Sequence, residues 1–386
     1  YDNLRDFFST GVTSITSISL SHRNEKLQNY FSYANTTGHG IIGKHNLSKH
    51  NLTFRETSVL LNSRLKLDGS MNLMRQVVKN KPTVGGFYMN PLVGLYRFPR
   101  GEDIAYYKEN FEVYDEGRNL NIQNWHTSYE DFEQNPYWIT NRILSKENRM
   151  HVIVSLSANL KINDWLSLQA RGNVDYINDK VRQQFYASTA PALAGANGRY
   201  IEMDYQETQY YGDAILMMKK QWDAFSLNAA LGASINDKTV NSTRYDSKTA
   251  SLKYANVFNL ANIIMNGSAG LDQKIDARRQ LQSLFATAQL GYNEFVYLDL
   301  SARNDWSSTL AYTSHEKSGF FYPSVGFSLI FNKLMTLPRW VSLAKIRGAY
   351  SMVGNDIPMF ITNPSSHITA GGEFLASDAA PFKDME

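Results

Sequence analysis

The sequence predicts an all-β chain: an antiparallel up-and-down sheet whose strands cross a membrane as the wall of a barrel. Three observations carry the prediction. The first is the hairpin from Met150 to Asn178. Val152, Val154, Leu156, Ala158 and Leu160 share one parity, and His151, Ser155, Ser157, Asn159 and Lys161 take the other, with Ile153 the only apolar intruder. After a turn at Asn163-Asp164-Trp165, Leu166, Leu168, Ala170, Gly172, Val174 and Tyr176 alternate with Ser167, Gln169, Arg171, Asn173 and Asp175. A period of two sets an apolar face against a wet one. The second is length. Each arm runs about eleven residues, against ~5–6 in soluble strands; tilted, such a strand crosses an apolar band of about 25 Å. The third is that connections alternate along the chain, short then long, as turns on one side of a membrane and loops on the other do. A soluble sandwich also alternates along its strands, but it has no reason to sort loop length by side.

Composition bounds the rest. The chain has 386 residues, 39 Lys+Arg against 36 Asp+Glu and a net charge of +3, too balanced to point to nucleic acid. It has no cysteine, which removes disulfides and thiolate metal sites. No apolar run reaches the ~18 residues of a membrane helix. A mean hydropathy of −0.38 is compatible with a barrel, because half of every strand and all the loops are polar.

In order, strands are expected at about 12–20, 27–34, 48–57 and from Leu65 to Leu73 on a clean alternation against Lys66, Asp68, Ser70 and Asn72. A long excursion at about 76–149 follows, interrupted by Pro82, Pro91, Pro99 and Pro136. The two strands of the hairpin come next, then a loop at 179–208. A strand ending in Leu216 and Met218 turns at Trp222 into one carrying Leu227, Ala229 and Leu231. A third long loop spans 236–278. Strands through Leu284–Leu290, Val296–Ala302, Phe321–Phe331 and Ala344–Met352 complete about twelve. Residues 353–386 show no strand pattern. The long connections are expected to be extracellular. Trp165, Trp222 and Trp340 all fall at short turns and Tyr176 at the far end of its apolar stretch, where interfacial girdles sit.

Several longer strings resemble the SusC/RagA family of TonB-dependent outer-membrane transporters of Bacteroidetes. They are Asn51-Leu52-Thr53-Phe54-Arg55, the run from Asn90 to Gly101 (NPLVGLYRFPRG), Gln134-Asn135-Pro136-Tyr137-Trp138, Ala302 to Leu310 (ARNDWSSTL), Phe320 to Gly326 (FFYPSVG), and Lys345 to Ser351 with Gly354-Asn355-Asp356. They cover essentially the whole chain in the family's order. The resemblance implies one barrel domain of the TonB-dependent-receptor type over 1–386. It implies import of oligosaccharides or peptides, coupling to TonB, a SusD-like surface lipoprotein over the mouth, contact with outer-membrane lipid, and no cofactor. The family's plug and TonB box have no counterpart here, and family barrels have 22 strands. The expectation is therefore a partial wall. Self-closure of twelve strands is geometrically allowed, but bare strand edges in lipid are prohibitive, so further strands are expected from elsewhere.

Chemistry is sparse. His39, His45 and His50 lack zinc-ligand spacing and read as solvated loop residues. Glu130, Asp131 and Glu133 lack the ordered alternation of a calcium loop. Asn35-Thr36-Thr37 and Asn241-Ser242-Thr243 match the glycosylation pattern and read as ordinary loop residues. No phosphate loop or nucleophile elbow appears, so no enzyme is expected. The aromatic excursion stands out: Tyr96, Trp125, Tyr137 and Trp138 are its candidate ligand contacts, flat rings edged by polar groups that suit sugar faces or peptide side chains. Packing of the loop itself is the competing role for each ring. A passive porin or adhesin, or a soluble carbohydrate-binding β protein, are the alternatives.

Overall fold

The computed structural model describes residues 2–83, 85–127, 133–248, 252–265, 270–338, 340–362, 366–368 and 374–376. Twelve strands form one antiparallel sheet: β1 (Val12–Arg23), β2 (Leu27–His39), β3 (Asn46–Leu60), β4 (Leu65–Lys79), then, past a small hairpin of β5 (Glu112–Asp115) and β6 (Leu120–Gln123), β7 (Ile143–Lys161), β8 (Leu166–Phe185), β9 (Arg199–Trp222), β10 (Phe225–Asp246), β11 (Gly270–Tyr292), β12 (Val296–Ser307), β13 (Phe320–Ile330) and β14 (Lys345–Ser351). Each strand pairs with its neighbours in sequence, the up-and-down order. Among the described residues β1 and β14 each have one partner, so the sheet is open rather than closed on itself.

Register turns the alternation into two surfaces, since directly paired residues share a face. One row runs Leu20, Phe31, Phe54, Met71, Val154 and Val174 across β1–β4, β7 and β8. Another runs Leu168, Leu216, Leu231, Ala286, Ala302 and Pro323 across β8–β13. Large side chains of this face stay uncovered: Leu20 is 65% exposed, Leu156 60% and Leu231 53%. The opposite face carries the row Arg23, Gln28, Thr57, Asp68, Ser157, Arg171, Asp213, Ser234, Ser283 and Asp305, polar at every step.

The strands outrun their alternation. β7 has 19 residues, β9 24 and β11 23. The excursion expected at 76–149 is therefore residues 80–142, the loop expected at 179–208 is 186–198, and that expected at 236–278 is 247–269. The physical reason is that alternation marks only the stretch where one face is apolar. Beyond it both faces are polar, yet the backbone ladder continues, held by cross-strand pairs such as Arg149–Asp179 at 2.6 Å and Lys238–Glu207 at 2.7 Å. Connections at 24–26, 61–64, 162–165, 223–224 and 293–295 are tight, and only 331–344 on that side is longer. The stretch 353–386 is not wholly irregular: β15 (Ser366–Ile368) pairs with β16 (Phe374–Ala376). Within it Asp356 accepts from Ser307 Oγ at 2.7 Å, from Arg279 at 2.5 Å and from Thr309, tying 353–362 to the top of β11 and β12. Burial alone would raise the Asp356 carboxyl, but these hydrogen bonds, the Ile357 amide and the Arg279 charge outweigh it and hold it below the ordinary value.

Candidate functional site

The long connections on one side fold together into a cap. Its main piece is residues 80–142, which contain α2 (Pro91–Arg97), α3 (Ala105–Glu109) and α4 (Pro136–Arg142), after the N-terminal α1 (Asn3–Phe7). An Asn-Pro pair starts both α2 and α4. The asparagine caps, with Asn90 Oδ1 accepting from Leu92 N at 3.0 Å and Asn135 Oδ1 from Tyr137 N at 2.8 Å. The proline supplies a preset φ where no amide donor is needed. Gly94 lets α2 lie against the chain entering α4: a Cβ there would stand 2.5 Å from the Gln134 carbonyl oxygen.

Behind the helices lies a core of Phe7, Leu95, Phe98, Ile104 and Tyr137, with Trp125 and Tyr107 packed on it. A chain of buried amides knits the cap. Asn135 Nδ2 donates to Tyr107 O at 2.9 Å and Asn124 O at 2.8 Å. Gln134 Nε2 donates to Tyr88 O at 2.6 Å, and Gln134 Oε1 accepts from Ala190 N at 2.8 Å. The last bond reaches residues 186–198. Trp138 Nε1 adds a second link there, donating to Thr189 Oγ1 at 3.1 Å. In turn Asn197 Nδ2 donates to Leu252 O at 2.8 Å and Asn256 Oδ1 accepts from Ala187 N at 2.7 Å, joining 247–269. Arg142 grips Glu112 through two bonds of 2.7 and 2.6 Å, with its guanidinium over Phe111 and Tyr186.

This arrangement separates the four candidate ligand rings. Trp138 is 1% exposed and Tyr137 is buried, so both are cap core and neither offers a face to ligand; the expectation for them is corrected. The physical reason is that their apolar area and the Trp138 N–H are already satisfied inside the cap. Trp125 is half-buried, 5.3 Å from Phe98 and 5.2 Å from Tyr107. Tyr96, on α2, is 68% exposed. Two other rings of the same excursion, outside the four candidates, are also exposed: Tyr106 and Tyr114. Glu133 is buried and ion-paired to Arg97 at 3.1 Å and His126 at 3.3 Å; Glu130 and Asp131 lie outside the described residues. His39 and His50 sit on strands β2 and β3 facing the same side as Phe31 and Phe54, with His50 Nδ1 2.8 Å from the Tyr33 hydroxyl. Among the described residues no group of three or more metal-ligating side chains is placed to hold an ion.

Tyr137 supplies a pH handle. Its hydroxyl is buried without a partner among the described residues. Burial first, then the carboxylates of Asp6 and Asp103, push its phenol up to about 12. The unfolded phenol ionises near 10 and the folded one does not until about 12, so cap stability falls as pH rises across that window. Tyr137→Phe is expected to leave stability at pH 7 unchanged or slightly higher and to remove that decline. Thermal melts of the cap followed by near-ultraviolet circular dichroism at pH 7 and pH 11 check it; a loss above ~1 kcal/mol at pH 7 would reveal a hydrogen bond the hydroxyl makes.

Beneath the cap lies the polar face of the wall. Ion pairs cross it: Arg171 holds Asp213 at 2.6 Å with Tyr211 also donating at 2.6 Å, Arg55 and Thr57 hold Asp68 at 2.8 and 2.6 Å, and His151 pairs with Asp175 at 2.7 Å. A concavity of about 1240 Å³ near the short turns is lined by polar groups such as Ser167, Asn228, Thr287, Ser301 and Ser328, by Lys345 and Arg347, and by apolar side chains including Met217 and Phe327. The rims of the apolar face carry rings. Trp165 is at the β7–β8 turn with Lys220 Nζ 5.7 Å from its ring, and Trp222, Phe225 and Tyr292 are paired side by side. Trp340 is 85% exposed in the 331–344 connection. Tyr176 lies opposite Val152 at the other end, with Tyr210 diagonal to it on β9; Tyr210 and, farther along the sheet on β12, Trp306 are also exposed.

No family model and no curated protein matches the chain. Among solved structures it is similar to the RagAB peptide transporter at a TM-score of 0.70, and to the RagAB peptide importer in its "open-open" and "closed-closed" states at 0.71 and 0.69. Each match is 18% identical and covers 98% of this chain and 41% of the other, so the chain spans about two fifths of the length of these structures. At that identity what they share is the fold, an all-β, antiparallel up-and-down sheet.

Proposed function

We propose that the chain forms part of the wall and the extracellular cap of an outer-membrane active transporter that imports peptides or oligosaccharides. One observation carries the reading: across the twelve strands an uncovered apolar face backs onto a polar face crossed by ion pairs, and the long connections gather at one end into a folded cap. An apolar surface of that extent is unstable in water and suits lipid. Trp165, Trp222 and Trp340 then mark one membrane interface and Tyr176 the other. The two open edges, β1 and β14, require further strands to close the ring in lipid. Tyr96, with Tyr106 and Tyr114, offers exposed aromatic surface to ligand at the mouth. Coupling to TonB and a SusD-like lipoprotein over the cap complete the reading, which assigns no bond chemistry to the chain. The likeness to a peptide importer favours peptides over sugars.

Uptake by cells carrying the protein tests it. Fluorescent oligopeptides are expected to accumulate, accumulation to stop when the proton gradient is dissipated, and Tyr96→Ala to raise the half-saturating concentration about 3–10-fold, the worth of one ring contact at ~1 kcal/mol. Uptake that persists without the gradient would instead mark a passive porin.

A further inference from the structure

Outside the mouth, one charged patch has no role in the reading above. Lys79 and Lys146 stand directly opposite each other on β4 and β7, and Lys146 stands opposite Arg182 on β8. Their parity is that of Leu73, Met71, Val152 and Val154, so all three point outward rather than into the pore. Arg75, opposite Met150, lies two pleat repeats nearer the apolar band. Arg182 is answered by Glu202 at 3.0 Å and the adjacent Lys180 by Asp204 at 3.2 Å. Arg75, Lys79 and Lys146 are exposed and have no ion-pair partner among the described residues. Like charges directly opposite on one face destabilise a strand pair, so this juxtaposition calls for an anion from outside the chain.

Position says which anion. With a rise of ~3.3 Å per residue and a tilt near 45°, Arg75 and Lys79 stand about 5 and about 14 Å beyond Leu73, the last apolar row. That is the depth of the headgroup layer on the cap side, and lysine stems can bend toward it. We infer that Arg75, Lys79 and Lys146 form a binding site for the phosphate groups of a phosphorylated glycolipid in the outer leaflet, arginine offering two parallel donors and the lysine pair a concentrated charge. The inference rests on the membrane reading given above.

The test uses the whole protein in detergent micelles, titrated with bis-phosphorylated lipid A and read by native mass spectrometry. The unaltered protein is expected to retain lipid A, and Arg75→Gln/Lys79→Gln/Lys146→Gln to retain at least tenfold less, with the pore-facing Lys66→Gln unchanged. Lys79→Glu is the second variant: it creates an opposite-charge pair with Lys146, so its fold is firmer while its lipid A binding falls. Equal retention of dephosphorylated lipid A, equal retention by the triple variant, or saturation by inorganic phosphate alone would each overturn the site. Because the chain has no cysteine, a spin label on Leu156→Cys reports separately whether the apolar face meets lipid. A lipid-exposed label with no lipid A effect overturns only this inference; a water-exposed label overturns the membrane reading with it.

Discussion

Asn135→Ala is expected to unfold the cap while leaving the wall intact. The side chain is fully buried and makes three bonds: it caps α4 at Tyr137 N and donates to the carbonyls of Tyr107 and Asn124. Loss of an N-cap costs about 1 kcal/mol. Each carbonyl left buried without its donor adds about 1–3 kcal/mol. The total, about 3–7 kcal/mol, is large against a cap whose apolar core is three small clusters. The rim of the cap would open, since the Gln134 bond to Ala190 and the Trp138 bond to Thr189 depend on the same turn. Hydrogen exchange should therefore show amides of 88–142 and 186–198 deprotected together, with β7–β10 as slow as before. Deprotection confined to α4, or none, would mean the cap does not hang on this residue.

Leu231→Arg carries the second large effect. Leu231 sits midway along the apolar stretch of β10, between Leu216 and Ala286, with Phe225 at one rim and Asp237 beyond the other. An arginine at the middle of a lipid-facing strand costs about 2–4 kcal/mol, falling toward zero near the interfaces. Asn228→Arg, three residues away on the polar face, is expected to stay within ~0.5 kcal/mol. Folding into lipid vesicles followed against denaturant measures both. Equal costs for the two substitutions would show that both faces meet the same medium, and the barrel reading would fail.

The wall was largely legible in the chain. Alternation such as Leu166-Ser167-Leu168-Gln169-Ala170-Arg171 names a face whichever neighbour the strand takes. Tight turns such as that at Trp222 name the partner. What escaped was the upper half of each long strand. Lys180, Arg182, Glu202 and Asp204 look like loop composition, yet they are ladder residues paired across strands. The cap escaped for a different reason. Tyr96 and Trp138 are both aromatics beside polar neighbours in the same excursion, yet one is exposed and the other is core. Local sequence does not distinguish them, because the difference is made by Thr189, about fifty positions away.

By itself, then, the sequence determined the fold class, the two faces and the sorting of connections by length. These follow from side-chain parity and from turn chemistry, which act over a few residues. Only the tertiary structure decided how far the strands extend, which aromatics remain free, and that Lys79 and Lys146 face each other on the outside of the wall. Those outcomes depend on register between segments distant in the chain, and a register is a property of pairs that no single strand carries.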